Sequence, residues 1–205
     1  MIKNIIFDMG NVLLDFDPEA AVRQLPVDPA AQQTVKEALF LSPEWVQYDR
    51  GDLTEDTFFA ALAPRVPEAL RPALKECLHS WHTTMTPLPG AKAFLRELKE
   101  AGFRLFVLSN ASEQFRTYFP REIGVDLFDG IVVSCDVHLL KPNARIYRHL
   151  LDTYSLDPNE CLFIDDRADN VRGAEQVGIK GLVFEGDYDA VREQIGICKA
   201  NSDLS

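Results

Sequence analysis

Three polar residue sets in this 205-residue chain follow directly on short apolar runs. Asp8 comes after Ile5-Ile6-Phe7, Ser109 after Leu105-Phe106-Val107-Leu108, and the pair Asp165-Asp166 after Leu162-Phe163-Ile164. A carboxylate at the end of a buried apolar run is costly unless a metal, a proton or a hydrogen-bond donor meets it. One such Asp is commonly only a turn residue or a helix cap. Three on one chain argue for shared chemistry, because ligands of open parallel sheets bind outside the carboxyl ends of the strands. Lys141 adds a cation just before Pro142, which reads as the first residue of a helix. A helix start disfavours positive charge, so a facing carboxylate or phosphate would account for this lysine; a solvated surface lysine is the alternative.

The elements that must position these residues alternate. Lys3–Phe7, Arg104–Leu108, Gly130–Val133, Cys161–Ile164 and Gly181–Phe184 are short apolar runs bounded by turn residues, as expected of strands buried on both faces. Helical patterns lie between them. One opens at Pro89-Gly90 and places Phe94, Leu95 and Leu98 on one face. A second starts at Pro142 and carries Ile146, Tyr147, Leu150, Leu151 and Tyr154. A third runs from about Asn170 to Val177 and ends at Gly178. The alternation predicts an α/β fold, a doubly wound, Rossmann-like parallel sheet.

One stretch breaks the pattern. Between the first strand and Pro87 lie roughly seventy residues without a strand signal, far more than a crossover needs. Helix starts at Asp17-Pro18-Glu19, Ser42-Pro43-Glu44 and Thr54-Glu55-Asp56 mark it instead. The expected organisation is a sheet domain of residues 1–14 and 88–205, with a small helical bundle of residues 15–87 inserted into it. Trp45, Phe58, Phe59, Leu62, Leu74, Leu78 and Trp81 would form the core of that bundle.

Composition narrows the partners. A net charge of −11 with no basic cluster speaks against nucleic acid and against an anionic membrane surface. Cys77, Cys135, Cys161 and Cys198 are dispersed, which suits reduced thiols and not a zinc site or a disulfide frame. The N-terminal apolar run stops at Asp8, too short for a signal peptide or a span, so a cytoplasmic location is expected. Monomer and homodimer both stay open. Only the tail at 200–205 lacks an apolar pattern and is expected to be disordered.

Phe7-Asp8-Met9-Gly10-Asn11-Val12, Leu108-Ser109-Asn110, Lys141-Pro142 and Ile164-Asp165-Asp166-Arg167-Ala168-Asp169-Asn170 resemble, in order, the four motifs of the haloacid dehalogenase superfamily. The helical insert sits where that family carries a C1-type cap. Within the family, the Asp-x-Gly-Asn-Val opening is most similar to bacterial phosphatases of glucose 1-phosphate and related sugar phosphates. The resemblance implies a Mg²⁺-dependent hydrolase of a small phosphorylated metabolite, with Asp8 as the nucleophile that is phosphorylated in turnover. Mg²⁺ would be held by Asp8, the Gly10 carbonyl and Asp166, with Asp165 as a direct or water-mediated ligand. Ser109 and the N–H groups near Met9 and Asn110 would hold the phosphoryl oxygens, Lys141 would neutralise charge, and Asp169 and Asn170 would orient the metal shell or cap the next helix.

The chain departs from the family pattern at Gly10, where most of its phosphatases carry a second Asp that protonates the leaving oxygen. Asp15 is the best stand-in, with a hinge role as its alternative; Asp17 reads as an N-cap. A leaving group that needs little acid help, such as an anomeric sugar oxygen, would also fit, and so would a metal-free dehalogenase, although Asp165-Asp166 argues against the latter. Trp45, Tyr48 and Arg50 in the insert could touch substrate or serve only the cap's own packing. The four histidines show no metal-ligand spacing.

Overall fold

A computed structural model describes residues 1–197; Cys198 and the tail at 200–205 lie outside the described residues. The chain runs β1 (Asn4–Phe7), β2 (Leu14–Asp15), α1 (Pro18–Arg23), α2 (Pro29–Phe40), α3 (Pro43–Asp49), α4 (Glu55–Leu62), α5 (Arg71–Ser80), β3 (Thr86–Pro87) and α6 (Ala91–Glu100). It continues with β4 (Arg104–Ser109), α7 (Phe115–Glu122), β5 (Gly130–Val133), α8 (Ser134–Val137) and α9 (Ala144–Tyr154). β6 (Cys161–Asp165), α10 (Ala168–Glu175), β7 (Lys180–Val183) and α11 (Tyr188–Ile195) complete it.

Five strands form one parallel sheet in the order β5-β4-β1-β6-β7. The sheet turns from one winding direction to the other at β1, which places the ends of β1, β4 and β6 side by side. Side chains alternate across it as the strand period of two requires. Ile5, Phe7, Leu105, Val107, Leu162 and Ile164 pack on one side, and Ile6, Phe106, Leu108 and Phe163 on the other. Both faces are buried, so these strands read in the sequence as unbroken apolar runs. The α/β expectation holds.

Between β2 and β3 the chain forms helices joined by short loops and no strand, and the first four α-helix starts there each have a local cause. Asp17, Asp28 and Ser42 cap α1, α2 and α3, each followed by Pro at the first helical position. Thr54 and Thr57 form a reciprocal capping box at α4. One hydrophobic cluster is continuous from the sheet face at Phe7 into this insert at Leu39, Tyr48, Phe58 and Trp81.

Two expected boundaries move. α9 starts at Ala144, capped by Asn143, whose side chain accepts the Arg145 N–H. Lys141 and Pro142, joined by a cis peptide, lie in the turn before it. An Asn side chain can accept that N–H while proline only sets φ, so the cap and not Pro142 defines the start. α10 begins at Ala168, two residues before Asn170.

Candidate active site

The carboxyl ends of β1, β4 and β6 deliver Asp8, Ser109 and Asp166 to one cavity of about 230 Å³, with Asp165 buried behind it. Lys141 lines the cavity and reaches between Asp8 and Asp165. The ammonium lies 2.7 Å from Asp8 Oδ1 and 2.7 Å from Asp165 Oδ2, with its side chain enclosed. Burial alone would pull the Lys141 ammonium down, but the two carboxylates overcome that and hold its pKa above the usual lysine range. Asn110 fixes the backbone beneath it: its Nδ2 donates to the Lys141 carbonyl at 3.0 Å and its Oδ1 accepts the Lys141 N–H at 2.9 Å.

The acidic groups differ in what they have left to offer. Asp165 is fully buried. Its Oδ1 accepts the Arg167 N–H at 2.9 Å and Asn170 Nδ2 at 3.0 Å, and its Oδ2 accepts Asn170 Nδ2 at 3.0 Å as well as Lys141. These donors occupy both oxygens, so Asp165 orients Lys141 and has little capacity as a direct metal ligand. Asp8 and Asp166 face the cavity. Burial, and then the neighbouring Asp165 charge against the pull of Lys141, pushes the Asp8 carboxyl up to about 7. Burial likewise raises Asp166, which accepts Asn11 Nδ2 at 3.2 Å.

Asp8, Asp165 and Asp166 each offer a carboxylate oxygen within 4.8 Å of the others. One lysine cannot balance three clustered carboxylates, and hard oxygen donors suit a Mg²⁺-type cation. The donor chemistry of the site therefore fits the ion. Ser109 Oγ, at the end of β4, is buried and has no hydrogen-bond partner, a donor left for a ligand oxygen. Met9, Gly10 and Asn110 line the same cavity.

Not every expected residue is there. Asp15 is exposed and outside the cavity lining. In the β2–β3 ribbon it pairs with Thr86, and alternation along the extended chain turns the next residue, Phe16, into the cavity instead. Asp15 is thus not positioned to replace an acid at Gly10. Asp169 is exposed and pairs with Arg172, whereas Asn170 is buried and bonds Asp165. Arg50 pairs with Asp52 and Tyr48 is core; Trp45 is the one of the three that lines the cavity. His79 and His82 border a separate cavity near Glu55 and Gln114.

The insert supplies the rest of the wall. Phe16, Trp45, Val46, Trp81 and Met85 form an apolar and largely aromatic side, with Tyr118 from the sheet side. Asp49, the last residue of α3, also lines it. Burial pushes the Asp49 carboxyl well above the usual range, against donors from Trp45 and Ser112, and the charge of Asp8 adds to the rise. Sequence reasoning missed Asp49; its only signal was a carboxylate one helical turn after Trp45.

The family description "haloacid dehalogenase-like hydrolase" matches residues 2–178. The chain belongs to the haloacid dehalogenase-like hydrolases. A sesquiterpene phosphatase of Aspergillus oryzae is 30% identical over 183 residues, covering 88% of each protein. A glyceraldehyde 3-phosphate phosphatase of Pyrococcus abyssi is 25% identical, covering 90% of this chain and 82% of that protein. A drimenol cyclase of Aspergillus calidoustus is 30% identical over 203 residues; 95% of this chain spans only 36% of that protein. Among solved structures, a haloacid dehalogenase-family enzyme of Bacteroides thetaiotaomicron, crystallised with magnesium and inorganic phosphate, superposes with a TM-score of 0.71. It is 21% identical, over 93% of this chain and 99% of that one. No helix among the described residues of this hydrolase is long and apolar enough to cross a membrane.

Proposed function

We propose that this hydrolase cleaves phosphate monoesters of small metabolites, with Asp8 as nucleophile and Mg²⁺ as cofactor. The observation that carries the reading is the shared position of Lys141 between Asp8 and Asp165, beside Asp166 and the partnerless hydroxyl of Ser109. Asp8 is the only one of the three acids that both contacts Lys141 and faces the cavity. Lys141 favours the ionised form of Asp8 against the effect of burial and offsets charge building on a bound phosphoryl group. Ser109 donates to a phosphoryl oxygen. Mg²⁺, held by Asp8, Asp166 and the Gly10 carbonyl, would supply the positive field without which these carboxylates repel a phosphate dianion. Attack by Asp8 gives an aspartyl-phosphate, and water then releases phosphate.

Residues 15–87 act in this reading as a cap that covers the ester and excludes water, in a cytoplasmic enzyme. The alcohol side of the substrate meets Phe16, Trp45 and Trp81. A sugar phosphate such as glucose 1-phosphate, stacking its apolar face on these rings, is the substrate suggested by the Asp8–Val12 motif; a prenyl-type phosphate, suggested by the sesquiterpene phosphatase, fits the same wall.

The test is a panel of glucose 1-phosphate, glucose 6-phosphate, a farnesyl phosphate and p-nitrophenyl phosphate, with Mg²⁺ and with EDTA. Magnesium-dependent phosphate release that Asp8→Asn abolishes is expected. Halide release from a 2-haloacid that persists in EDTA, with no phosphate release, would replace this reading with a dehalogenase. Silence toward all of them would leave a binding protein.

A further inference from the structure

We propose that Asp49 is the general acid and base of this hydrolase, reaching in from the insert to do what a side chain at position 10 does elsewhere. The inference rests on the phosphatase reading and goes beyond it. Gly10 has no side chain, and Asp15 lies outside the cavity. The acids that line the cavity are Asp8, Asp49 and Asp166. Asp8 is the nucleophile and Asp166 is tied to Asn11 on the metal side. Asp49 alone comes from the insert, whose aromatic wall receives the alcohol half of the ester.

The insert holds this carboxyl against the sheet domain with contacts that a free surface acid lacks. Trp45, one turn earlier on α3, and the backbone of Ser112, in the loop after β4, lie close enough to this carboxyl to oppose the rise in its pKa. The Asp49 carbonyl accepts Ser134 Oγ at 2.5 Å, and the same oxygen of Ser134 accepts the Ala111 N–H at 2.9 Å. Gly51, at φ +79°, approaches so closely that a Cβ would stand 2.5 Å from the Cys135 carbonyl oxygen. His138 Nδ1 lies 3.1 Å from the Arg50 carbonyl. The end of α3 is therefore seated on the start of α8, with Asp49 held toward Asp8. Tyr118 is the other acidic proton on this wall, and burial makes its phenol a still weaker acid than usual.

The steps balance. Asp8 Oδ attacks phosphorus, the P–O bond to the alcohol breaks, and the proton of the Asp49 carboxylic acid passes to the leaving oxygen. The alcohol departs and Asp49 is left as a carboxylate. Asp49 then takes a proton from the water that attacks the aspartyl-phosphate. The Asp8 O–P bond breaks, phosphate leaves, and both side chains return to their starting states.

The experiment compares two esters of similar size in the Mg²⁺-loaded enzyme. p-Nitrophenolate leaves without a proton, whereas the alkoxide of phenethyl phosphate needs one. Asp49→Asn should lower kcat/KM for phenethyl phosphate by about 10²–10⁴-fold and for p-nitrophenyl phosphate by less than about tenfold. The constant kcat/KM reports only the steps through alcohol release, so a slower second step does not blur the contrast. Turnover of p-nitrophenyl phosphate in the same sample shows that the variant is folded, and Asp49→Glu, which keeps an acid, should recover part of the phenethyl rate. Equal losses on both esters, or no loss on either, would overturn the role of Asp49 while leaving Asp8 chemistry intact. A wild type inert toward both would instead end the phosphatase reading, and this role with it.

Discussion

Asn110 holds Lys141 by its backbone, one side-chain amide pairing with both the N–H and the carbonyl of a residue 31 positions away. The ammonium that joins Asp8 and Asp165 thus depends on a residue that need not touch substrate with its own side chain. Asn110→Ala removes both bonds, each worth about 1 kcal/mol net, and frees the Lys141 turn. We expect a modestly lower denaturation midpoint and a kcat reduced by at least about tenfold. A variant with unchanged kcat would show that the turn holds itself.

Lys141→Ala leaves two carboxylates buried without their cation. Breaking a buried pair from one side costs about 3–5 kcal/mol, which urea denaturation in EDTA would read. Arg is not a remedy: the lysine side chain is 1% exposed, and a planar guanidinium needs more room. Lys141→Arg should therefore also be destabilised and inactive.

The raised pKa of Asp8 sets a pH dependence for the metal-free protein. The folded state keeps a proton on Asp8 up to about pH 7, whereas the unfolded chain loses it near 4. Between those values the folded state binds more protons, so this group's contribution to stability falls as pH rises. Thermal melts in EDTA should show that decline from about pH 4 to about pH 7, and Mg²⁺ should raise the melting temperature more at pH 8 than at pH 5. Equal shifts at both pH values would separate Asp8 from the metal.

Two glycines should respond oppositely to alanine. At Gly10 the nearest atom to a new Cβ is Phe16 Cβ at 4.0 Å, an ordinary contact, and φ is not positive. Gly10→Ala should change stability by less than about 1 kcal/mol. Gly51→Ala meets the Cys135 backbone at 2.5 Å and needs a positive φ, a strain of about 1–3 kcal/mol, and should loosen the end of α3 from the sheet domain. Hydrogen exchange across residues 45–55 would report it.

Much of this arrangement was legible in the sequence because strands buried on both faces leave unbroken apolar runs, and their polar ends mark one sheet edge. Asp8, Ser109, Lys141 and Asp166 meet there as expected. What failed depended on side-chain direction or on distant packing. Asp15 and Phe16 are adjacent, and only the pleat decides that Phe16 enters the cavity. Asp165 looks like Asp166 until the four hydrogen bonds it accepts from Arg167, Asn170 and Lys141 are seen. Asp49 bears no sequence relation to Asp8; the docking of α3 through Ser134 brings it in. The helix α7 contains Pro120, a residue that discourages a helical reading.

The ribbon of β2 and β3 pairs Leu14 with Pro87 and Asp15 with Thr86. The polymer thus exits toward the helices and re-enters the sheet through neighbouring residues, as at the neck of a drawstring bag. A segment tethered at one narrow neck can be exchanged for a shorter or longer one without altering the span the sheet must bridge. Swapping what lies beyond that neck would hand the Asp8 chemistry a new choice of alcohol, and with it a new proton donor.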